Sequence, residues 1–450
     1  MKKWTVLFIV HGLGDGLQEQ SRVLTNLLGF GNWKLKYTNL LYLKSEIDHS
    51  NGKTITAVLN KVNSSRERWS SRRDVVVEER FPQINIGNKQ HLTQVFAYVK
   101  KNFPSQHLML TVFDHGAGFG MFEPIPDPDN PHVFTDVDEI DESIKRNDGK
   151  RLRRHIVPPV AAGYYKTKKQ RGKGRLGGTK RKKAHTDMLT MEELSAAIQA
   201  GFKRTVDVMI MVNCNMQMIE TGYSLRDNVD YLVGSESMFW VYGINYREVL
   251  WRLDNLDRLR PESLAKLCIE TLKSRYERID KLENLNDVSF SVIDLKRMMP
   301  VYKKLDELAA ILIDDIKKDK SKLRSLIRAR RVGVDLSLFN LGKEEEGGDP
   351  LFFYDLLWFL RNIGDHQDRV GEIETLFKQA RLGKYIGSDF RKTGNELVSG
   401  LSVYLPLKKD DFEYQYFDLF YKKKAKFRVD FAGTNWGELL LTIKKQAELR

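Results

Sequence analysis

Two short segments carry residue types that together could perform covalent chemistry on a carbonyl group. Phe113-Asp-His115-Gly116 follows the apolar run 108–113, and Val212-Asn213-Cys214 follows the apolar run 208–212. A thiol is only partly ionised at neutral pH, and a nearby imidazole makes it a competent nucleophile. Attack on a carbonyl builds negative charge on oxygen, which requires fixed N–H donors. Gly116, lacking a side chain, lets its backbone N–H approach a substrate closely, and the N–H of Cys214 can supply the second donor. The histidine can then protonate the leaving amine. An arbitrary cysteine is more often a small buried apolar side chain than a nucleophile. Of the two cysteines, Cys268 falls within a helical pattern, so Cys214 is the candidate.

Strands and turns must position these residues. Both apolar runs read as strands covered on both faces, and their carboxyl ends form the edge where open α/β sheets put their chemistry. If the two strands are neighbours in a parallel sheet, His115 and Cys214 face each other across that edge. Strand patterns also cover 4–10, 37–43, 74–78 and 231–236. Helical spacing covers 18–28, 91–103 and 194–202, the last opened by a capping box of Thr190 and Glu193. Residues 60–73 read as a loop or frayed helix. Alternating strands and helices argue for an α/β fold, a sheet covered by helices on both faces.

Beyond residue 235 the texture changes to long helices, at 246–256, 262–279, 301–316, 320–330, 351–363 and 370–382. Strand patterns interrupt them at 288–293, 401–405 and 426–431, and 342–350 reads as a surface linker. The 450 residues therefore divide into two units: 1–250, a catalytic domain, and 251–450, mainly helical with a few added strands.

The net charge of +14 is local. Residues 145–183 hold sixteen lysines and arginines against one acid, Asp148, and the remainder of the chain is close to neutral. A spread basic field would point to nucleic acid; one basic loop does not. That loop lies in an insertion, 121–187, which opens with prolines and an acidic patch at 136–142 and is too charged to pack.

Other motifs lose their chemistry on inspection. His11-Gly-Leu-Gly14 is similar to a lipase oxyanion turn, yet the chain has no Gly-x-Ser-x-Gly. Lys173 to Lys180 lacks the Gly-Lys-Ser/Thr ending of a phosphate loop. His155 and His185 have no ligands at zinc spacing, so no metal centre is expected. No run approaches the roughly 18 apolar residues that a membrane helix needs. Met1–Val10 reads as a first strand, so the expected compartment is the cytoplasm, or a secreted or periplasmic place if a leader has been removed.

Taken in order, Asp-His-Gly after a strand, then Asp207-Val-x5-Cys214-x-Met216, a helix and Asp230-Tyr-Leu-Val-x-Ser-Glu236 resemble the clostripain-like cysteine peptidases of the caspase-like clan. The resemblance continues through Trp4-Thr-Val6, Val288 to Leu295, Tyr354-Asp-Leu356 and Gly400-Leu-Ser-Val-Tyr-Leu-Pro406. It implies a caspase-like fold, endopeptidase activity through His115 and Cys214, and an oxyanion hole from the backbone of Gly116 and Cys214. It also implies a zymogen activated by a cut between the two residues, where the insertion lies; Arg154, Lys169, Arg171, Arg175 and Lys183 are candidate cleavage points. The expected substrate is a protein or peptide, the expected state a monomer, and an activating protease a candidate partner. No cofactor is implied beyond the calcium dependence found in parts of the family, for which 136–142 is the acidic candidate.

The sequence departs from the family at one position. Typical members have an aspartate two residues before the cysteine, to pair with an Arg or Lys side chain; here it is Val212, followed by Asn213. Glu236 could take the role, or the pocket accepts another side chain. Ser235, Trp240 and Tyr242 are further candidates for lining it. The reading from a different class is a caspase-like scaffold without catalysis that grips nucleic acid or an acidic partner through the basic loop.

Overall fold

The computed structural model describes residues 1–10, 34–47, 55–63, 75–82, 86–113, 118–124, 186–237, 244–256, 258–283, 288–333, 336, 352–387, 398–413, 415–425 and 427–448. The amino-terminal part runs β1 (Lys2–Val10), β2 (Thr38–Ile47), β3 (Ile55–Val62), β4 (Val75–Pro82), α1 (Lys89–Asn102) and β5 (Ser105–Phe113). A ribbon of β6 (Gly120–Pro124) and β7 (Thr186–Thr190) follows, then α2 (Met191–Phe202), β8 (Val206–Val212), α3 (Ile219–Leu225) and β9 (Val229–Ser235). Next come α4 (Tyr246–Asn255), α5 (Pro261–Glu283), β10 (Ser289–Asp294), α6 (Met299–Lys318) and α7 (Ser321–Val332). The chain ends with β11 (Phe353–Asp355), α8 (Leu356–Arg361), α9 (Gln367–Ala380), β12 (Arg381–Ile386), β13 (Ser402–Tyr404), α10 (Gln415–Phe420) and α11 (Asn435–Glu448).

Among the described residues nine strands form one sheet in the order β12-β10-β9-β8-β5-β1-β2-β3-β4. The five central strands are parallel, and antiparallel pairs flank them on both sides. All seven residues of β8 are buried, as continuous apolar strands between two helical layers must be. Alternate residues face opposite cores. Met209 and Met211 join the core under α1, α2 and α3, whereas Val208, Ile210 and Val212 join the core under α4 and α5.

Helix boundaries follow their caps. Asn88 accepts from the N–H groups of Gln90 and His91 to start α1, which buries Leu92, Val95, Phe96 and Val99 on one stripe. The expected capping box at Thr190 and Glu193 is present, with both reciprocal bonds. Among the described residues no helix is long and apolar enough to cross a membrane.

Three local expectations change. Residues 55–62 form β3, with Asn60 a buried strand residue and not the start of a loop. At 353–355 the expected helix begins as a strand paired with β13, and only then turns into α8. Among the described residues of 426–431 there is no strand; Asp430–Gly433 is a single tight turn of helix. The sheet also runs across residue 250, since β10 and β12 extend it. The helix expected at 18–28 and the linker at 342–350 lie outside the described residues.

Candidate active site

Asp207 sets the register on which the site depends. Its carboxylate accepts from Leu108 N at 2.8 Å and from Arg204 Nη2 at 3.0 Å, and lies 2.8 Å from His107 Nδ1. This clasp ties the amino ends of β5 and β8. The ladder then runs in parallel to Phe113 opposite Val212, so both strands leave the sheet at one level. Cys214 stands two residues beyond Val212 on a loop, 213–217, and is half-buried.

That loop is held by its backbone. Asn215 adopts a left-handed conformation, φ 57°, which asparagine tolerates better than most residues. Its N–H donates to Ser237 O at 2.7 Å, and that of Gln217 to Ser235 O at 2.9 Å. From the other side Ser402 N donates to Gln217 O at 3.0 Å. Gly118, φ 78°, could not carry a side chain, because a Cβ there would overlap Met218 and Phe353; Thr221 Oγ1 donates to its carbonyl at 2.7 Å. Cys268 is a contrast: it is fully buried in α5, and burial pushes its thiol up to about 12, where it is inert.

The residues expected to line a substrate pocket divide in two groups. Val212 is buried in the apolar core and offers no charge. Asn213 is fully buried, and among the described residues neither its Oδ1 nor its Nδ2 meets a hydrogen-bond partner. Ser235 is fully buried, with its hydroxyl donating to Ser289 O at 3.0 Å. His115, Gly116, Trp240 and Tyr242 lie outside the described residues. So do the cleavage candidates Arg154, Lys169, Arg171, Arg175 and Lys183, and the acidic patch 136–142. Among the described residues no group of three or more His, Cys, Asp and Glu side chains could hold a metal ion.

Glu236 is held by neighbouring polar groups. It is fully buried, and its Oε1 accepts from Ser289 Oγ at 2.5 Å and from Gly400 N at 3.0 Å. Its neighbour in charge is Asp355, which sequence reasoning had noted only within a motif. Asp355 is fully buried too. It caps α8 through Trp358 N at 2.8 Å and accepts from the backbone and hydroxyl of Ser399. Burial first, and then the neighbouring Asp355 charge, push Glu236 well above the ordinary carboxylate range. The signal that could have found this pair was the recurrence of acids in both quoted motifs, Ser235-Glu236 and Tyr354-Asp355.

The fold is shared with known proteins. The model of the clostripain family matches residues 180–431. A secreted C11 cysteine protease from Bacteroides thetaiotaomicron, solved with an irreversible peptide inhibitor, is 16% identical at a TM-score of 0.54, covering 90% of this chain and 93% of that one. An inactive zymogen C11 protease from Parabacteroides distasonis is 15% identical at a TM-score of 0.52, over the same shares. Comparison with curated proteins gives no match. The family match spans more than half of the sequence, and with it the chain belongs to the clostripain family of cysteine peptidases.

Proposed function

We propose that the chain is an endopeptidase in which Cys214 attacks the scissile carbonyl and His115 is its acid–base partner. The observation that carries this reading is the pairing of Phe113 with Val212. The two segments richest in chemistry leave neighbouring parallel strands at the same edge, each with its reactive residue two positions on. The backbone N–H groups of Gly116 and Cys214 are the proposed oxyanion donors. An irreversible cysteine-directed peptide inhibitor tests the reading. It should add once, at Cys214, and the His115→Ala variant should lose both the adduct and hydrolysis; an unmodified Cys214 in cleaved protein would sink the assignment.

We further infer a zymogen cut within 125–185. The solved relative from Parabacteroides distasonis is described as an inactive zymogen, which supports this reading. So does the ribbon, in which Pro124 pairs with Thr186 at the two ends of the insertion. The side chain accepted at the cleavage point is proposed to be uncharged. Support comes from the apolar Val212 and from the internal commitment of Glu236, which leave a guanidinium or ammonium without its usual carboxylate. Peptides differing only at that position test this. Faster hydrolysis after Arg or Lys than after any neutral residue would overturn it.

The Bacteroides thetaiotaomicron relative is a secreted protease, which favours a place outside the cytoplasm over the cytoplasmic expectation. Fractionation of the native cell decides this.

A further inference from the structure

A second basic cluster lies within the folded part of the chain. Residues 317–331 hold eight lysines and arginines against one acid, Asp319, a net +7. With this stretch and 145–183 both set aside, the rest of the chain carries a net charge of −8. Lys317 and Lys318 end α6, and Lys320, in helical conformation, leads into α7. At 1.5 Å of rise and 3.6 residues per turn, Lys320, Arg324, Arg328 and Arg331 fall within a sector of about 80° and span about 16 Å of the axis. The opposite side of α7 buries Leu323, Leu326, Ala329 and Arg330.

The segment sorts its charges by face. Arg330 is paired with Asp411 at 2.5 Å, and Lys322 with Asp365 at 2.9 Å. Asp319 is engaged by Ser321, whose N–H and hydroxyl donate to it at 2.8 and 2.5 Å. Lys317, Lys318, Lys320, Arg324, Arg328 and Arg331 are exposed, and among the described residues none of the six makes an ion pair. Like charges one helical turn apart repel. A stripe of them without local acids is complemented only by an anion from outside.

We propose that this face is a docking surface for an acidic segment of the polypeptide substrate. The inference rests on the endopeptidase reading and adds a class of substrate to it. An extended peptide advances about 3.3 Å per residue, so alternate side chains recur every ~6.6 Å on one side. Successive cations of the stripe rise by about 4.5–6 Å, so acids at alternate positions meet them in turn. Arginine's planar fork suits carboxylates. A nucleic acid or an anionic membrane is a larger polyanion and would also meet the net negative remainder of the chain, whereas a short acidic segment needs only the local patch. The face is also tied to the Cys214 loop. Arg330 Nη1 donates to Leu405 O at 2.9 Å, next to β13, and Ser402 of that strand donates to Gln217 O. The Arg331 end of the stripe is thus anchored on the strand that braces the loop.

The binding test uses the full chain carrying Cys214→Ala, alone and with Arg324→Gln, Arg328→Gln and Arg331→Gln added. A fluorescein-labelled alternating Glu-Ala octapeptide is titrated against each, beside a Gln-Ala octapeptide, a short oligothymidylate and phosphatidylglycerol vesicles. The acidic peptide should bind, weaken as salt rises, and lose about tenfold in affinity to the triple variant, while the Gln-Ala peptide does not bind. Arg→Lys at the same three positions should restore most of the affinity. The altered residues are exposed, so unfolding temperatures should agree. In the enzyme with Cys214 intact, a cleavable peptide is extended at either end by one or the other octapeptide. The acidic extension should lower KM by about tenfold with kcat unchanged, and the triple Arg→Gln variant should erase that difference while cleaving the neutral peptide as wild type does. Affinity unchanged in the triple variant would place the peptide elsewhere, the 145–183 loop included, and overturn the proposal. Tighter binding of the oligothymidylate or the vesicles through the same three residues would overturn it too, as would a KM indifferent to the extension. A wild type that binds the acidic peptide yet hydrolyses no peptide would instead overturn the endopeptidase reading.

Discussion

Ser402 donates its backbone N–H to the carbonyl of Gln217 at 3.0 Å, and this bond joins the carboxyl-terminal part of the chain to the loop of Cys214. The next residue, Met218, forms an isolated bridge with the same serine. The helical second half is therefore part of the structure that holds the Cys214 loop, as well as a cover for the sheet.

Cys214→Ala should fold as wild type does and lose more than about a thousandfold in peptide hydrolysis. The side chain is half-buried, and alanine fills most of its volume, so unfolding temperature should hardly move. Hydrolysis by the purified variant above trace level counts against the assignment.

Val212→Asp should raise cleavage after Arg or Lys by about tenfold or more relative to neutral residues. Val212 lies within an apolar core and is nearly inaccessible, so an aspartate without a cation should also lower stability by about 1–3 kcal/mol. A peptide panel varied only at the cleavage position reads the first effect, and thermal unfolding reads the second.

Glu220 should make stability fall between mildly acidic and neutral pH. It is fully buried in α3, where Tyr421 donates at 2.6 Å and Tyr404 N at 3.0 Å, and burial raises its pKa to about 7. The folded state thus binds this proton more tightly than the unfolded chain does. Its contribution is complete below the ordinary glutamate range and is lost as pH climbs through about 7. Denaturant titrations should lose about 3 kcal/mol across that window from this group, and Glu220→Gln should remove that share of the slope. Equal slopes in both proteins would refute the assignment.

A protease cut anywhere in 125–185 should leave one particle. The two ends of the cut segment are paired in the β6–β7 ribbon, and β5 and β8, one from each fragment, are neighbours in the sheet. The fragments should separate on a denaturing gel and co-elute in size-exclusion chromatography. Two eluting species would contradict the arrangement.

Much of this was legible from residue patterns, for identifiable reasons. Uninterrupted apolar runs gave the central strands, because a strand covered on both faces has no polar alternative. Thr190 and Glu193 marked a helix start through side-chain chemistry that is local. Strand β3 was missed because Ile-Thr-Ala-Val-Leu-Asn-Lys-Val mixes polar residues into a short run, and its partners lie on other segments. At 353–355 pairing with β13 overrides the helical spacing of the residues that follow. The burial of Glu236 and Asp355 near one another could not be read at all. Each acid looks exposed and ordinary in sequence, and only the fold removes both from water and sets them together.

The Asp207 clasp works as a fixed origin from which distance along β8 is counted. Side chains in a strand alternate between faces, so losing or gaining one residue between Asp207 and Cys214 would exchange the two cores and turn every later side chain to the wrong layer. Within this interval the chain can drift in which apolar residues it uses, but its length is not free to change. Deletions and insertions there should be lethal to folding where conservative replacements are tolerated, a contrast that a saturation library scored for both kinds of change would make visible.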